Sequence, residues 1–125
     1  MKILVVDDEK DVQGLFEQRF RREIKSREME FVFAWSGEEA LSYMKEHDHE
    51  AVLILSDINM PGMSGLQLLQ EIKMNFETPP PVVMMITAYG DKENYNRAMQ
   101  LGADDFLTKP VDFALLKEKL KIIAA

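Results

Sequence analysis

Five polar residues lie at or just beyond the ends of short apolar segments, and together they carry groups that suit a metal ion and a phosphoryl group. They are Asp7, Asp8, Asp57, Thr87 and Lys109. Carboxylates are the hard oxygen ligands that Mg2+ prefers, an ammonium group neutralises a phosphate oxygen, and a hydroxyl donates a hydrogen bond to another. The pattern indicates a divalent metal ion beside a phosphoryl group, provided that the fold brings these side chains together.

Asp57 is the candidate nucleophile of this set. It follows a continuous apolar segment, and the turn after it begins with Asn59, Met60, Pro61 and Gly62. A carboxylate in that position can attack a phosphorylated donor and form an aspartyl-phosphate. The main-chain carbonyl of Asn59, held out by the turn, would supply a neutral metal ligand. The adjacent carboxylates of Asp7 and Asp8 would raise each other's pKa unless a cation lies beside them.

Each of these groups also has an ordinary structural explanation. The Asp7-Asp8 pair would cap the following helix, Asp57 would cap a turn, Thr87 would be a common β-branched strand residue, and Lys109 would face solvent. All five in equivalent positions are much less expected by chance, which favours a joint site.

The segments that must position these residues have the pattern of buried parallel strands, because each is a short apolar run between stretches with helical periodicity. The runs before the polar residues are Ile3–Val6, Ala51–Leu55, Val82–Ile86 and Phe106-Leu107, and a further strand is predicted over Met29–Ala34. Parallel strands present their carboxyl ends at one edge of a sheet, where ligands of open α/β sheets bind. The sequence therefore predicts that the polar residues meet at that edge.

Five helices are predicted between and after the strands. The first covers residues 10–25, and close packing would explain Gly14 within it. A capping box of Ser36 and Glu39 opens the second, and Asp91 and Asp112 cap the fourth and fifth.

Each predicted helix has an apolar face that is expected to pack against the core. The residues of these faces are Val12, Leu15, Phe16, Phe20 and Ile24 in the first helix, Ala40, Leu41 and Met44 in the second, Leu66, Leu69, Ile72 and Phe76 in the third, a thin set of Tyr95, Ala98, Met99 and Leu101 in the fourth, and Leu115, Leu116, Leu120 and Ile123 in the fifth.

Composition excludes several classes of function. A chain of 125 residues with 46% hydrophobic residues predicts one folded domain over residues 1–125. The net charge of −7 argues against direct binding of nucleic acid. The absence of cysteine excludes disulfides and thiol catalysis. No apolar run approaches a membrane span, and the start lacks the pattern of a signal peptide, so we expect a cytoplasmic protein without membrane contact.

Over essentially its whole length the chain resembles the receiver domain of two-component response regulators. The matching segments are Ile3–Glu9, Asp57–Gly65, Thr87-Ala88 and Gly102–Pro110. The resemblance implies an α/β fold with a doubly wound five-stranded parallel sheet of order 2-1-3-4-5, that is, a flavodoxin-like (CheY-like) three-layer sandwich. It also implies a cis peptide bond between Lys109 and Pro110.

The resemblance further implies roles for the polar residues. Asp57 would accept a phosphoryl group from a sensor histidine kinase or a histidine phosphotransfer protein. Asp8 would bind Mg2+ directly and Asp7 mainly through water, with Asp57 and the carbonyl of Asn59 completing the ligand set and Mn2+ as a substitute ion. Lys109 would bind a phosphate oxygen.

A conformational switch is implied as well. Thr87 would swing to the phosphoryl group once it forms, and Phe106 would follow it inward from an exposed rotamer. The surface formed by the fourth helix, the fifth strand and the fifth helix would then control the output, with a homodimer through this surface as one form of response. The chain would be a signalling switch that takes part in its own phosphorylation and dephosphorylation, and not an enzyme acting on a separate substrate.

Two other functions are considered. Phosphatases similar to haloacid dehalogenases also form an aspartyl-phosphate. Their pattern is an Asp at the end of a strand, followed two residues later by a second Asp that acts as acid and base. Here Asn59 occupies that place and cannot transfer protons. A phosphorylation-independent pseudo-receiver would be expected to lack an acidic or lysine position, and none is lost in this sequence.

Overall fold

The computed structural model describes residues 1–47, 53–75, 82–88 and 90–124. Within these ranges lie the strands β1 (Lys2–Val6), β2 (Glu30–Ala34), β3 (Leu53–Asp57), β4 (Val82–Ala88) and β5 (Asp105–Lys109). The helices are α1 (Asp11–Arg19), α2 (Arg21–Lys25), α3 (Gly37–Glu46), α4 (Gly65–Asn75), α5 (Lys92–Gln100) and α6 (Phe113–Ala124). No helix in the described ranges combines the length and the apolar composition needed to cross a lipid bilayer.

The strands form one parallel sheet in the order β2-β1-β3-β4-β5, which confirms the predicted fold. Its two faces are both covered, as the continuous apolar runs require. Ile3 and Val5 belong to one buried cluster, which α1, α2 and α6 cover. Leu4 and Val6 belong to another, which α3, α4 and α5 cover. The sheet is thus the middle layer of three, and the carboxyl ends of all strands reach one edge.

The first predicted helix is divided in two, so the expectation of one helix over 10–25 is wrong in detail. Phe20 separates α1 from α2 with φ −108° and ψ 23°. Its ring is fully buried and lies 5.0 Å from the ring of Phe31 and 6.2 Å from that of Phe113. Contacts with β2 and α6 hold this ring in place, and the helix bends where the ring enters the core.

Five expectations about packing are also wrong. No atom lies within 4 Å of the position that a Cβ would take at Gly14, so close packing does not explain that glycine. Leu15 is 46% exposed because Phe16 and Phe20 define the buried stripe and Leu15 falls beside it. Leu115 and Met99 are exposed for the same reason, whereas their neighbours Leu116 and Ala98 are buried, and Tyr95 is likewise exposed.

The predicted caps are confirmed. The amide of Glu39 donates to Oγ of Ser36 at 3.0 Å, Asp91 accepts from Asn94 at 3.2 Å, and Asp112 accepts from the amides of Ala114 and Leu115. The peptide bond between Lys109 and Pro110 is cis, as expected. The predicted start of the third strand, Ala51 and Val52, and the predicted core residue Phe76 lie outside the described residues.

Candidate functional site

Asp57 and Lys109 form an ion pair at the carboxyl edge of the sheet. Nζ of Lys109 lies 2.7 Å from Oδ2 of Asp57. Asp57 ends β3 in the middle of the sheet and is only 2% exposed, whereas Lys109 ends β5, beyond β4, and its side chain is 40% exposed. Oδ1 of Asp57 accepts a hydrogen bond of 3.4 Å from the amide of Asn59. The pair therefore joins a buried carboxylate to a lysine that approaches it from the rim of the sheet.

Two further carboxylates lie beside Asp57. Asp7, Asp8 and Asp57 each offer an oxygen, and these oxygens lie within 4.8 Å of one another. Asp7 is buried and its Oδ1 accepts a hydrogen bond of 2.9 Å from the amide of Glu9, whereas Asp8 is exposed. The predicted meeting of Asp7, Asp8, Asp57 and Lys109 is thus present in the structure.

The electrostatics of this cluster favour a further cation. Burial raises the pKa of Asp7, and the charges of Asp57 and Asp8 raise it further, which outweighs the lowering by the Glu9 amide and Lys109. Partial burial opposes the charged form of Lys109, but the hydrogen bond and charge of Asp57 outweigh it, so the pKa of Lys109 is raised. Three carboxylates therefore share one ammonium group, and their negative charge is only partly compensated.

The residues fit a hard divalent cation such as Mg2+. The donor set consists of carboxylate oxygens, of which two are on the buried residues Asp7 and Asp57 and one is on the exposed Asp8. Mg2+ binds few carboxylates and keeps several waters, which suits a site open on the side of Asp8. The same ion would offset both causes of the raised pKa of Asp7, which are burial first and the repulsion by Asp57 and Asp8 second.

Replacing Asp7 with Asn is expected to stabilise the metal-free protein and to weaken Mg2+ binding. The pKa of Asp7 is higher in the folded state than in the unfolded state. Protonated Asp7 therefore contributes stability at a pH below its ordinary pKa, and this contribution is lost as the pH rises through the folded-state pKa. At neutral pH the charged carboxylate therefore destabilises the fold, and relieving it is expected to yield about 1 kcal/mol. Urea unfolding with and without Mg2+ measures both effects, and a destabilised metal-free variant would contradict the prediction.

Thr87 lies near the end of β4 and Phe106 on β5, and the polar and ring contacts of their side chains are with Ala88 and Tyr95. Thr87 is buried near the end of β4, and its hydroxyl donates to the carbonyl of Ala88 at 3.1 Å. Phe106 is partly buried and not exposed as expected, with its ring 4.5 Å from that of Tyr95. The hydroxyl of Thr87 is thus held by the carbonyl of the next residue, and the ring of Phe106 on β5 packs against Tyr95 on α5.

The loop between β3 and α4 is held by Gly65 and Glu38, for which the sequence alone predicts no such role. The amide of Gly65 donates to the carbonyl of Ile58 at 2.8 Å, and a Cβ on Gly65 would lie 2.1 Å from the carbonyl oxygen of Asp57. Oε1 of Glu38 accepts from the amide of Met63 at 3.4 Å. The two glycines in Pro61–Gly65 were the available signal, but the close approach is visible only in three dimensions.

Comparisons with known proteins agree with this geometry. A family model described as "Response regulator receiver domain" matches residues 3–121. The response regulator RppA of Synechocystis is 34% identical over 98% of this chain and 50% of that protein. A probable chemotaxis protein CheY of Rhizobium etli is 32% identical over 98% of this chain and 92% of that protein. The chain thus spans half the length of one relative and nearly all of another.

The fold has solved counterparts. The crystal structure of a response regulator receiver domain protein from Clostridium thermocellum has a TM-score of 0.84 and 31% identity, covering 98% of this chain and 93% of that one. The match of the family model over nearly the whole chain, the shared fold and the acidic cluster at the sheet edge lead to one conclusion. The chain belongs to the family of response regulator receiver domains.

Proposed function

We propose that residues 1–125 form one receiver domain in which Asp57 accepts a phosphoryl group from the phosphohistidine of a sensor histidine kinase or a histidine phosphotransfer protein. The observation that carries the proposal is the buried carboxylate of Asp57, which has an ammonium group 2.7 Å from one oxygen and two carboxylates near enough to share a cation with it. The site of action is the cytoplasm, where kinase domains and ATP are present.

In the transfer, an oxygen of Asp57 attacks the phosphorus atom. The phosphorus–nitrogen bond of the donor breaks, its electrons return to the imidazole, and an aspartyl-phosphate remains. Lys109, already hydrogen-bonded to Asp57, neutralises a phosphoryl oxygen, and the amide of Asn59 holds the other oxygen of the attacking carboxylate. Attack of water on the phosphorus later breaks its bond to the Asp57 oxygen, which releases inorganic phosphate and regenerates the carboxylate. The domain thus takes part in its own modification and turns over no separate substrate.

The metal ligands would be Asp8 directly, Asp7 mainly through water, Asp57 and the main-chain carbonyl of Asn59. When bound, Mg2+ or Mn2+ neutralises charge on the transferring phosphoryl group, which is the main demand of such a reaction. Asp7 and Asp57 form the buried side of this site, and Asp8 forms its exposed side.

The phosphoryl group carries about two negative charges, where the Asp57 carboxylate carried one, and so offers Thr87 a new acceptor. The hydroxyl of Thr87 leaves the carbonyl of Ala88 for a phosphoryl oxygen, and the ring of Phe106 turns inward from its place beside Tyr95. The surface of α5, β5 and α6 changes together with these two side chains and controls the output. Formation of a homodimer through that surface is one form of the response. Phosphorylation then shifts an existing equilibrium between two arrangements.

Labelling with a small phosphodonor tests the proposal. Acetyl phosphate with Mg2+ is expected to add one phosphoryl group, which peptide mapping locates on Asp57, and EDTA is expected to prevent its addition. Stoichiometric labelling at another residue would sink the proposal, and repeated turnover of a phosphomonoester would instead support a phosphatase.

Replacing Thr87 with Ala is expected to preserve labelling and to weaken the response of α5. The variant keeps Asp57 and Lys109, so transfer proceeds, but no hydroxyl draws the end of β4 towards the phosphoryl group. NMR shift changes of the α5 amides on addition of beryllofluoride, compared with wild type, measure the effect. Thr87→Ser, which keeps the hydroxyl, is the control and is expected to respond as wild type; identical shift changes in Thr87→Ala would contradict this role.

A further inference from the structure

The outer side of β2 is an open edge of the sheet. In the described part of the chain β2 pairs with β1 alone. The amide of Glu30 donates to Met1 at 2.8 Å, and Ala34 accepts from the amide of Asp7 at 3.1 Å, so residues 30, 32 and 34 direct their main-chain groups towards β1. Because these directions alternate along a strand of a parallel ladder, the N–H and C=O groups of Phe31 and Phe33 point to the open side.

This edge carries little of what usually protects an edge strand, because Glu30 at the start of β2 is the one charged residue of that strand. Natural edges carry lysines, prolines or bulges that prevent pairing with another chain. The segment Phe31-Val32-Phe33-Ala34-Trp35 contains no charge, proline or glycine. Its aromatic rings form a stacked row, with centroids 6.5 Å apart between Phe31 and Phe33 and 5.9 Å apart between Phe33 and Trp35. The edge thus offers both main-chain groups and apolar surface to a further strand.

A cleft of mixed character continues beyond the strand. It has a volume of about 600 Å³ and lies between β2 and the helices α1 and α2. Apolar side chains such as those of Ile24 and Met29 line it together with charged ones such as those of Glu17 and Arg27. A strand added at the edge would extend the sheet beneath this cleft and cover part of it.

We propose that the edge of β2 pairs with the same edge of a second copy of this chain, antiparallel, about a two-fold axis through Val32. In this register Phe31 lies opposite Phe33 of the second copy. Both residues have outward main-chain groups, so each of these pairs exchanges two hydrogen bonds. The main chain of Val32 faces β1. Val32 therefore lies opposite Val32 of the second copy, and this pair makes no hydrogen bonds between the strands. An isologous contact of this kind closes as a dimer.

The charges and side chains of β2 favour a second copy as the occupant. Glu30 comes to lie opposite Ala34 of the second copy, so no like charges face each other across the strands. The rows of rings from the two copies lie on the same face of the joined sheet and become one row, in which Phe31 and Phe33 form cross-strand aromatic pairs.

The net charge of −7 on each copy opposes association at low ionic strength. The dimer is therefore expected to strengthen with added salt and, because the interface is small, to be weak.

Sedimentation of the full chain tests the pairing. The mass is expected to rise from the monomer value of 14.4 kDa towards twice that value as the concentration approaches about 1 mM. Val32→Lys and Val32→Glu each place like charges at the axis and are expected to abolish the dimer. An equimolar mixture of the two variants is expected to restore it as a heterodimer. Met99→Lys, an exposed position on α5, is the control and is expected to dimerise as wild type.

Amide exchange in the wild-type chain provides a readout that needs no variant. The amides of Phe31 and Phe33 are expected to exchange slowly only at high concentration, whereas the amide of Val32, bonded towards β1, is expected to be protected at all concentrations. A wild-type chain that stays monomeric throughout overturns the proposal. So does a dimer that Met99→Lys abolishes and Val32→Lys leaves intact, because that result places the contact on α5.

Discussion

Asp57→Asn is expected to reduce labelling by acetyl phosphate by more than about a thousandfold, which is the scale of effect seen when a nucleophile is removed. The amide has the size of the carboxylate, but its neutral oxygen is a poor nucleophile. Lys109 loses its partner at 2.7 Å, yet it is exposed enough to be hydrated, so the fold is expected to persist. Intact-protein mass spectrometry at matched donor and Mg2+ concentrations measures the labelled fraction.

The matched control is Asp112→Asn, the same chemical change at the cap of α6. Asn is as good a helix cap as Asp, and Asp112 lies on the exposed surface at the start of α6, so labelling is expected at the wild-type level.

Asp57→Asn has a second expected consequence. Because the charge of Asp57 contributes to the raised pKa of Asp7, the pKa of Asp7 is expected to fall in this variant. Undiminished labelling of Asp57→Asn would show that another residue is the acceptor.

Gly65→Ala is expected to destabilise the protein by about 3 kcal/mol or more, because overpacking against main chain cannot be relieved by a rotamer change. The new Cβ would lie 2.1 Å from the carbonyl oxygen of Asp57 and 2.7 Å from Cα of Ile58. The start of α4 must then move away from β3 or displace the end of that strand. Urea unfolding measures the loss, and labelling is expected to fall as well, since Asp57 itself is displaced.

Gly14→Ala is the control for this prediction. Gly14 also lies in a helix, but nothing is within 4 Å of its Cβ position. The substitution is expected to stabilise the protein by about 0.5–1 kcal/mol, the difference in helix propensity between Gly and Ala. Effects of equal sign at the two positions would mean that propensity, and not the contact with Asp57, determines the cost at Gly65.

The strands and the main site were predictable because their signals are local. Short apolar runs such as Ile3–Val6 identify buried strands, and a parallel sheet then brings every residue at a carboxyl end to one edge. Asp7, Asp57 and Lys109 needed no further information, since each directly ends or follows a strand. Helix caps such as Ser36 were predictable for the same reason, because cap and partner are three residues apart.

The remainder depends on contacts between distant segments. The bend at Phe20 arises from rings on β2 and α6, and no periodicity within α1 indicates it. The exposure of Leu15 and Leu115 depends on where the buried stripe of each helix meets the sheet. Likewise, the approach of Gly65 to Asp57 is set by the path of the intervening loop, which residue types alone do not specify.

Trp35 makes the chain its own optical probe. It is the single tryptophan, and its indole stacks 5.9 Å from the ring of Phe33. It also directly precedes Ser36, the cap of α3, and Glu38 in the first turn of that helix contacts the loop that follows Asp57. Changes in its emission maximum and quenching therefore report on the outermost strand without any attached dye. Through α3 they also report on the segment that follows Asp57.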